Sequence, residues 1–159
     1  EGGKPIIMEG EYKVAYDLEK LSPGVYPELI ISNPYYALIG TADRIEIFDD
    51  KSFKVQDYKT NKEITWSGYP IYNPTTRKRE PKKMRDPISH LDDCKGTIYN
   101  LQLSGYAWML EQYGYYCTSL EIIHAIFEGP DGEEEVVDEI TYSLPYLKED
   151  FEKLLNTIR

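Results

Sequence analysis

The sequence has few cysteines, few histidines and no long hydrophobic run, and each shortage excludes a class of protein. Two cysteines, Cys94 and Cys117, cannot supply the four thiolates of an iron–sulfur cluster, so none is expected. At 1.5 Å per residue along one predicted helix they lie about 25–30 Å apart, beyond disulfide reach. No apolar stretch approaches the roughly 20 residues that span a bilayer, and no signal-peptide pattern occurs, which favours a cytoplasmic protein with no membrane partner.

Positive charge is scarce overall but concentrated in one stretch. The net charge of −10 argues against binding nucleic acid by charge alone. Residues 77–85 nevertheless carry six basic side chains against one acid, a local sum of +5 that leaves −15 for the remainder. The sequence therefore predicts an acidic body with one basic segment, whose basic residues are Arg77, Lys78, Arg79, Lys82, Lys83 and Arg85.

The length suits a single domain over residues 1–159, because a chain of this size buries roughly 70% of its unfolded surface. Hydrophobic spacing predicts an α/β (α+β) protein with a mixed central sheet flanked by helices. The predicted order is a helix over 11–21, strands over 26–32, 35–48 and 51–60, a helix over 92–111, strands over 118–127 and 134–142, and a helix from Pro145 onward. Asp92 and Asp93 offer N-cap chemistry for the second helix.

A long insertion at about 61–91 interrupts this order. It contains four prolines, the basic cluster and few periodic apolar positions, which predicts an irregular loop. Loops of this length inside a compact domain are usually functional or disordered. Two interpretations stay open: a solvated mobile surface loop, and a loop that contacts the phosphate backbone and orders on nucleic acid.

Residues 39–60 predict a β-hairpin whose apolar faces carry charge. With a period of two, Asp43 shares a face with Ile39, Ile45 and Ile47, and Asp57 and Lys59 share a face with Phe53 and Val55. A charged group on such a face is costly unless it is paired or holds a metal. Asp57 and Lys59 as a rim salt bridge, or Asp43 as a strand-end cap, would also account for the pattern.

Three motifs in order resemble a known enzyme family. Gly40-Thr41-Ala42-Asp43, then Asp57-Tyr58-Lys59-Thr60, then Gln102-Leu103-Ser104-Gly105-Tyr106 resemble the PD-(D/E)XK nuclease superfamily. The pattern is most similar to RecB-type exonuclease domains, with G-x-x-D, D-x-K-T and Q-x-x-x-Y. The stretch 84–94, which runs into 101–104, further resembles bacteriophage-encoded members. The resemblance implies a restriction-endonuclease-like αβββαβ core.

It also implies a function: a divalent-metal-dependent DNA nuclease, an exonuclease or an enzyme that processes single strands or ends, of phage or mobile-element origin. The cofactor would be Mg²⁺ or Mn²⁺, which prefer oxygen ligands. Lys59 would orient the attacking water or stabilise transition-state charge. The implied catalytic residues are Asp43, Asp57, Lys59, Gln102 and Tyr106, and the implied metal ligands are Asp43, Asp57, the Tyr58 carbonyl and Glu28.

Glu28 is the least specific of these ligands, because an exposed strand glutamate would account for it equally well. The chain also departs from the family pattern. Many RecB-type relatives place a metal-binding histidine on an N-terminal helix, and no histidine precedes Asp43 here. His90 and His124 follow the motifs and are interpreted as structural.

Two other classes of function remain open. A catalytically degenerate PD-(D/E)XK fold could serve as a nucleic-acid-binding or protein-interaction module, which the missing histidine and the acidic body favour. An acidic structural phage protein is the third hypothesis, against which the basic segment weighs. The expected partner is DNA, as single strands or duplex ends, in the cytoplasm of a bacterial host, with protein partners in phage replication or recombination.

Overall fold

The computed structural model describes residues 5–7 and 14–158, and side chains from Tyr16 to Ile158. It is a mixed α/β structure built on a five-stranded sheet with two helices. The strands are β1 (Pro5–Ile7), β2 (Val14–Tyr16), β3 (Gly24–Asn33), β4 (Leu38–Ile47), β5 (Ser52–Lys59), β6 (Pro70–Asn73), β7 (Lys78–Pro81), β8 (Tyr116–Glu128) and β9 (Glu135–Leu144), and the helices are α1 (Lys95–Glu111) and α2 (Lys148–Leu155).

The large sheet has the strand order β3-β4-β5-β8-β9. Strands β3, β4 and β5 form an antiparallel meander, because tight turns join them. Helix α1 then crosses the sheet, so β8 returns parallel to β5, and β9 pairs antiparallel with β8. The two short pairs β1–β2 and β6–β7 form separate two-stranded sheets.

Helix α1 covers one face of the large sheet. Its side chains Leu103, Ala107 and Leu110 are 0% exposed and belong to the same core as sheet residues such as Phe53 and Val55. Helix α2 packs against α1 where Gly105 leaves room, since a Cβ there would lie 2.8 Å from the Phe151 ring. This packing fixes α1 over the middle strands.

The opposite face of the sheet is polar. Glu46 lies 3.6 Å from Arg44 and 3.7 Å from Lys54, and Gln56 donates a hydrogen bond to Glu121 on β8. One buried face and one polar face are typical of a sheet that packs on helices from a single side. No helix in the described part of the chain is long and apolar enough to cross a membrane.

The predicted helix over 11–21 is wrong wherever the structure describes it. Val14–Tyr16 is a strand in which Val14 pairs with Ile7, and Leu18–Lys20 is a single 3₁₀ turn capped by the Asp17 side chain. Residues 11–13 lie outside the described residues. Leu18 and Leu21 are buried by a tight turn and the residue after it, which fit the same spacing over so short a stretch.

The predicted irregular loop over 61–91 is also partly wrong, since it contains the hairpin β6–β7. Its prolines do not prevent pairing, because Pro70 and Pro81 face each other at the open end. The Asn73 side chain accepts a hydrogen bond from the Thr75 N–H in the turn. Tyr69 and Asp93 bond to the Lys82 backbone at 2.8 Å, which ties the hairpin to the body.

The start of α1 differs from the prediction as well. Its N-cap is Cys94, without a side-chain capping bond, rather than Asp92 or Asp93. Those two carboxylates instead form ion pairs with Lys83 and Lys82. Both cysteines are free thiols, and burial raises the pKa of Cys117 to about 12.

Candidate active site

Asp43 and Asp57 come together where β4 and β5 diverge. The last paired residues of the two strands are Arg44 and Gln56, so the two aspartates occupy the next position. There the Asp43 Oδ2 atom accepts a hydrogen bond of 2.8 Å from the backbone N–H of Tyr58. The Asp43 carboxylate thus accepts the N–H of Tyr58 beyond the point where the backbone pairing of β4 and β5 ends, and Asp43 and Asp57 become neighbours.

A distortion in the sheet turns Asp43 toward this position. Glu28 has a φ of 51°, and the β3–β4 pairing omits the Glu28–Asp43 step. On β4 the buried residues are Ile47 and Ile45 on one side of the distortion and Ala42 on the other. The alternation of buried and exposed residues therefore shifts by one position there. The predicted face is therefore wrong at Ile39, which is 75% exposed, because strict alternation does not continue through the distortion.

Asp57 is a buried carboxyl that lies beside an ammonium group and a second carboxyl group. It is 4% exposed, and burial raises its pKa, an effect that the neighbouring Asp43 reinforces and Lys59 opposes. Lys59 Nζ lies 2.5 Å from Asp57 Oδ2, so the ammonium is the charged partner of this oxygen, and Asp43 is the second neighbouring group. We call Asp43, Asp57 and Lys59 the carboxylate site.

The side chain of Lys59 is largely buried, although Lys59 is the last residue of β5. Its side chain is only 18% exposed, and Nζ lies 4.4 Å from the centre of the Tyr99 ring on α1. The Tyr99 hydroxyl in turn donates to the Asn61 side chain, whose backbone carbonyl lies 2.6 Å from the buried His124 Nε2. The lysine is therefore held between a carboxylate and an aromatic face.

The predicted helix residues face the same site. The Tyr106 ring lies over Gly40, where a Cβ atom would come within 2.5 Å of it. Gln102 donates a hydrogen bond of 3.0 Å to the Tyr106 hydroxyl. Burial raises the pKa of Tyr106, and the charges of Asp57 and Asp43 raise it further, so the phenol stays protonated beside the carboxylates.

The donor set of the carboxylate site fits a hard divalent cation. Two adjacent carboxylates, one of them buried, provide the oxygen ligands that Mg²⁺ prefers. Within residues 5–7 and 14–158, no three His, Cys, Asp or Glu side chains form a metal-binding group. Mg²⁺ is commonly held by one or two carboxylates with waters and substrate phosphates, so a pair is enough.

The remaining predicted ligands stay predictions. Glu28 is exposed, and it forms no metal-binding group with the two aspartates. Tyr58 is 49% exposed, and its N–H already supports Asp43.

The six basic residues lie on the hairpin β6–β7 and the segment after it, all exposed. We call residues 70–85 the basic hairpin. Lys82 and Lys83 are ion-paired with Asp93 and Asp92. In the described residues the other four form no ion pair, and they are Arg77, Lys78, Arg79 and Arg85.

The motifs alone did not point to Tyr99, Asn61 or His124 as neighbours of Lys59. Two signals were available. Tyr99 lies three residues before Gln102, on the same face of a helix, and Asn61 follows the D-x-K-T motif directly. His124 is buried, and His90 Nε2 lies 2.9 Å from the Asp150 carboxylate; the interpretation of both histidines as structural stays a prediction.

Comparison of this chain with protein families, with curated proteins and with solved structures found no match. The resemblance to PD-(D/E)XK nucleases is therefore carried by the motif residues themselves.

Proposed function

We propose that this chain is a divalent-metal-dependent DNA nuclease of the PD-(D/E)XK superfamily, most similar to the RecB-type exonuclease branch. One observation carries the proposal. Side chains from three separate motifs, on β4, β5 and α1, meet around a buried carboxylate that has a second carboxylate beside it. A purely structural ion pair of Asp57 with Lys59 would not require a second carboxylate beside it, because that neighbour adds repulsion.

In this proposal each residue has a separate task. A Mg²⁺ or Mn²⁺ ion held by Asp43 and Asp57 would activate a water and neutralise phosphate charge. The Lys59 ammonium lies 2.5 Å from Asp57 Oδ2, where the metal would bind. Lys59 would therefore leave Asp57 and contact the phosphate or the attacking water. Tyr99 keeps the lysine oriented through its ring.

Tyr106 and Gln102 would act as positioning groups. The protonated phenol is a hydrogen-bond donor beside two carboxylates, and the exposed Gln102 amide fixes its hydroxyl. Such preorganised donors are worth most where water is excluded, and burial of the neighbouring Asp57 provides that setting.

The test is cleavage of labelled single-stranded and duplex DNA with Mg²⁺ or Mn²⁺. Lys59→Met keeps most of the buried stem and removes the charge, so cleavage should fall by about 10²–10³. Lys62→Met, at an exposed lysine three residues on, is the matched control and should cleave as the wild type does. Asp57→Asn should also abolish cleavage, with partial rescue by excess Mn²⁺ that Lys59→Met does not share.

A second function is favoured by one observation, the absence of a third acidic or histidine ligand beside Asp43 and Asp57 in the described residues. The chain would then be a degenerate PD-(D/E)XK module that binds nucleic acid or a protein without cutting. DNA binding by the wild type with no cleavage in either metal supports this alternative and overturns the nuclease proposal.

A further inference from the structure

A cleft of about 310 Å³ opens between the first turn of α1 and the end of β9, away from the side chains of the carboxylate site. Trp66 and Tyr142 line it with aromatic rings that contact each other at 4.7 Å between centroids. A volume near the lower end of the range for small-molecule sites suits one planar ring system. The other lining residues are Gly96, Thr97, Asn100, Ser143, Leu144 and Pro145.

The Trp66 ring is held in place yet remains accessible. It packs on the helix backbone at Gly96, where a Cβ atom would lie 2.4 Å from the ring. Its exposure is nevertheless 41%, a large value for a fixed indole. An immobilised aromatic surface that faces solvent can stack with a ligand at little cost in side-chain entropy.

Asn100 adds a polar group to the aromatic lining. It is 8% exposed, and its Oδ1 atom is buried without a hydrogen-bond partner. A side-chain amide offers donors and an acceptor in one plane, which matches the edge of a nucleobase. Buried polar groups without partners are rare, and a ligand that pairs with the amide would explain this one.

The sheet register places the cleft at a fixed distance from the carboxylate site. Asp57 pairs with Ile122, and Ile122 pairs with Tyr142, so the three residues form one row across the sheet. Two steps between strands correspond to about 10 Å. Ile122 between them is 0% exposed, so a bound strand would connect the two positions over the protein surface and not along this row.

Charge near the cleft is compatible with a polyanion. Lys95, the first residue of α1, is exposed and forms no ion pair in the described part of the chain. The two nearby acids, Asp92 and Asp93, are neutralised by Lys83 and Lys82. The positive end of the 17-residue helix adds to the attraction for phosphate.

We propose that this cleft is a nucleobase subsite that holds an unpaired base of the strand whose phosphodiester lies at the carboxylate site. The position along the strand rests on the proposed nuclease function, whereas base binding itself does not. Stacking requires an unpaired base, so the preferred ligand is single-stranded DNA or the frayed end of a duplex.

The first test uses the wild-type chain in EDTA with a 12-nucleotide single strand and a set of strands in which one base at a time is removed. Trp66 should report binding through quenched fluorescence, because the only other tryptophan, Trp108, is 6% exposed. We expect one abasic position to weaken binding about tenfold to a hundredfold. Equal affinities for all abasic strands, or binding without quenching, would overturn the subsite.

Variants give a second, independent readout by anisotropy of a labelled strand. Trp66→Leu should weaken binding by a similar factor while leaving the salt dependence unchanged, because stacking neutralises no phosphate. It should also abolish the effect of the sensitive abasic position. Tyr35→Leu, at an aromatic residue 78% exposed near the start of β4, is the control and should bind as wild type does.

The outcomes separate this inference from the proposed function. If the wild type cleaves DNA and its binding does not depend on Trp66, the subsite is overturned and the nuclease proposal stands. If base binding depends on Trp66 and neither metal supports cleavage, the subsite stands and the nuclease proposal is overturned. Neither binding nor cleavage overturns both.

Discussion

At the carboxylate site the charged side chains lie inside the protein, whereas the basic hairpin carries its charges on its surface. Asp57 is 4% exposed and Lys59 is 18% exposed, so their environment is set by one another and by the Tyr99 ring. Arg77, Lys78 and Arg79 are exposed and unpaired among the described residues. The first arrangement depends on geometry, and the second depends on the sum of charges and on salt.

This contrast teaches where each substitution should have its effect. A buried charge interacts strongly with its neighbours because water does not screen it, so single changes at the carboxylate site have large and local consequences. Exposed charges are screened within about 10 Å at 0.1 M salt, so each substitution in the basic hairpin should change DNA binding only slightly.

The substitution Asp43→Asn should have the largest effect, a loss of DNA cleavage. The Asp43 carboxylate accepts from Tyr58 and adjoins Asp57. Asparagine keeps an oxygen that can accept from Tyr58 but loses the charge that would hold the metal in the proposed function. We expect cleavage to fall by at least 10². The matched control is Asp49→Asn in the β4–β5 turn, an exposed carboxylate of the same type, which should cleave normally.

The next effect concerns Gly40. Alanine there would place a Cβ atom 2.5 Å from the Tyr106 ring, which must then move. A displacement of about 1 Å near a reacting centre can cost on the order of 10² in rate, and overpacking costs about 1–3 kcal/mol in stability. Cleavage rates and thermal unfolding would be compared with Thr41→Ala, an exposed neighbour on the same strand. Wild-type rates for Gly40→Ala would contradict the role of Tyr106.

A smaller effect is expected in the pH dependence of stability without metal. Burial raises the pKa of Asp57, so its contribution to stability is present below the ordinary pKa of an aspartate and is lost as pH rises through the raised value. Asp57→Asn cannot ionise, so its free energy of unfolding relative to wild type should increase from pH 4 to pH 8 in EDTA. A difference that stays constant or falls would show that the Lys59 ion pair outweighs burial.

The smallest effect per residue belongs to the basic hairpin. Replacement of Arg77, Lys78, Arg79 and Arg85 by glutamine should reduce the magnitude of the salt slope for single-strand binding by up to about 3, at about 0.7 per phosphate. Replacement of Lys82 and Lys83 is the control, since both ammonium groups already pair with aspartates. Equal changes in slope per residue replaced would mean that ion pairing does not decide which charges reach DNA.

The same contrast explains what could be predicted from the sequence. Asp57 and Lys59 were identified because they follow Phe53 and Val55 on one face of the predicted strand, and Phe53, Val55 and Asp57 are all buried on β5. Ile39 was misplaced because the distortion at Glu28 and Asp43 depends on pairing between strands, which one strand's pattern does not contain.

The basic hairpin was harder to predict because its strands bury nothing. Residues such as Ile71 and Tyr72 are 45% and 61% exposed, so no periodic apolar face marks β6. Its order comes from backbone pairing and from ion pairs with the segment before α1. The Trp66–Tyr142 contact joins residues far apart in sequence, and composition alone could not predict it.

The most direct test of the account is a crystal of the wild-type chain soaked with Mn²⁺, with the ion located by anomalous scattering. The account predicts a peak within coordination distance of both Asp43 and Asp57, with Lys59 Nζ displaced from Asp57 Oδ2. The acidic turn between β8 and β9, with Glu133 and Glu134, provides an internal comparison of exposed carboxylates. A peak there and none at the carboxylate site, with the Lys59–Asp57 ion pair intact, would contradict the account.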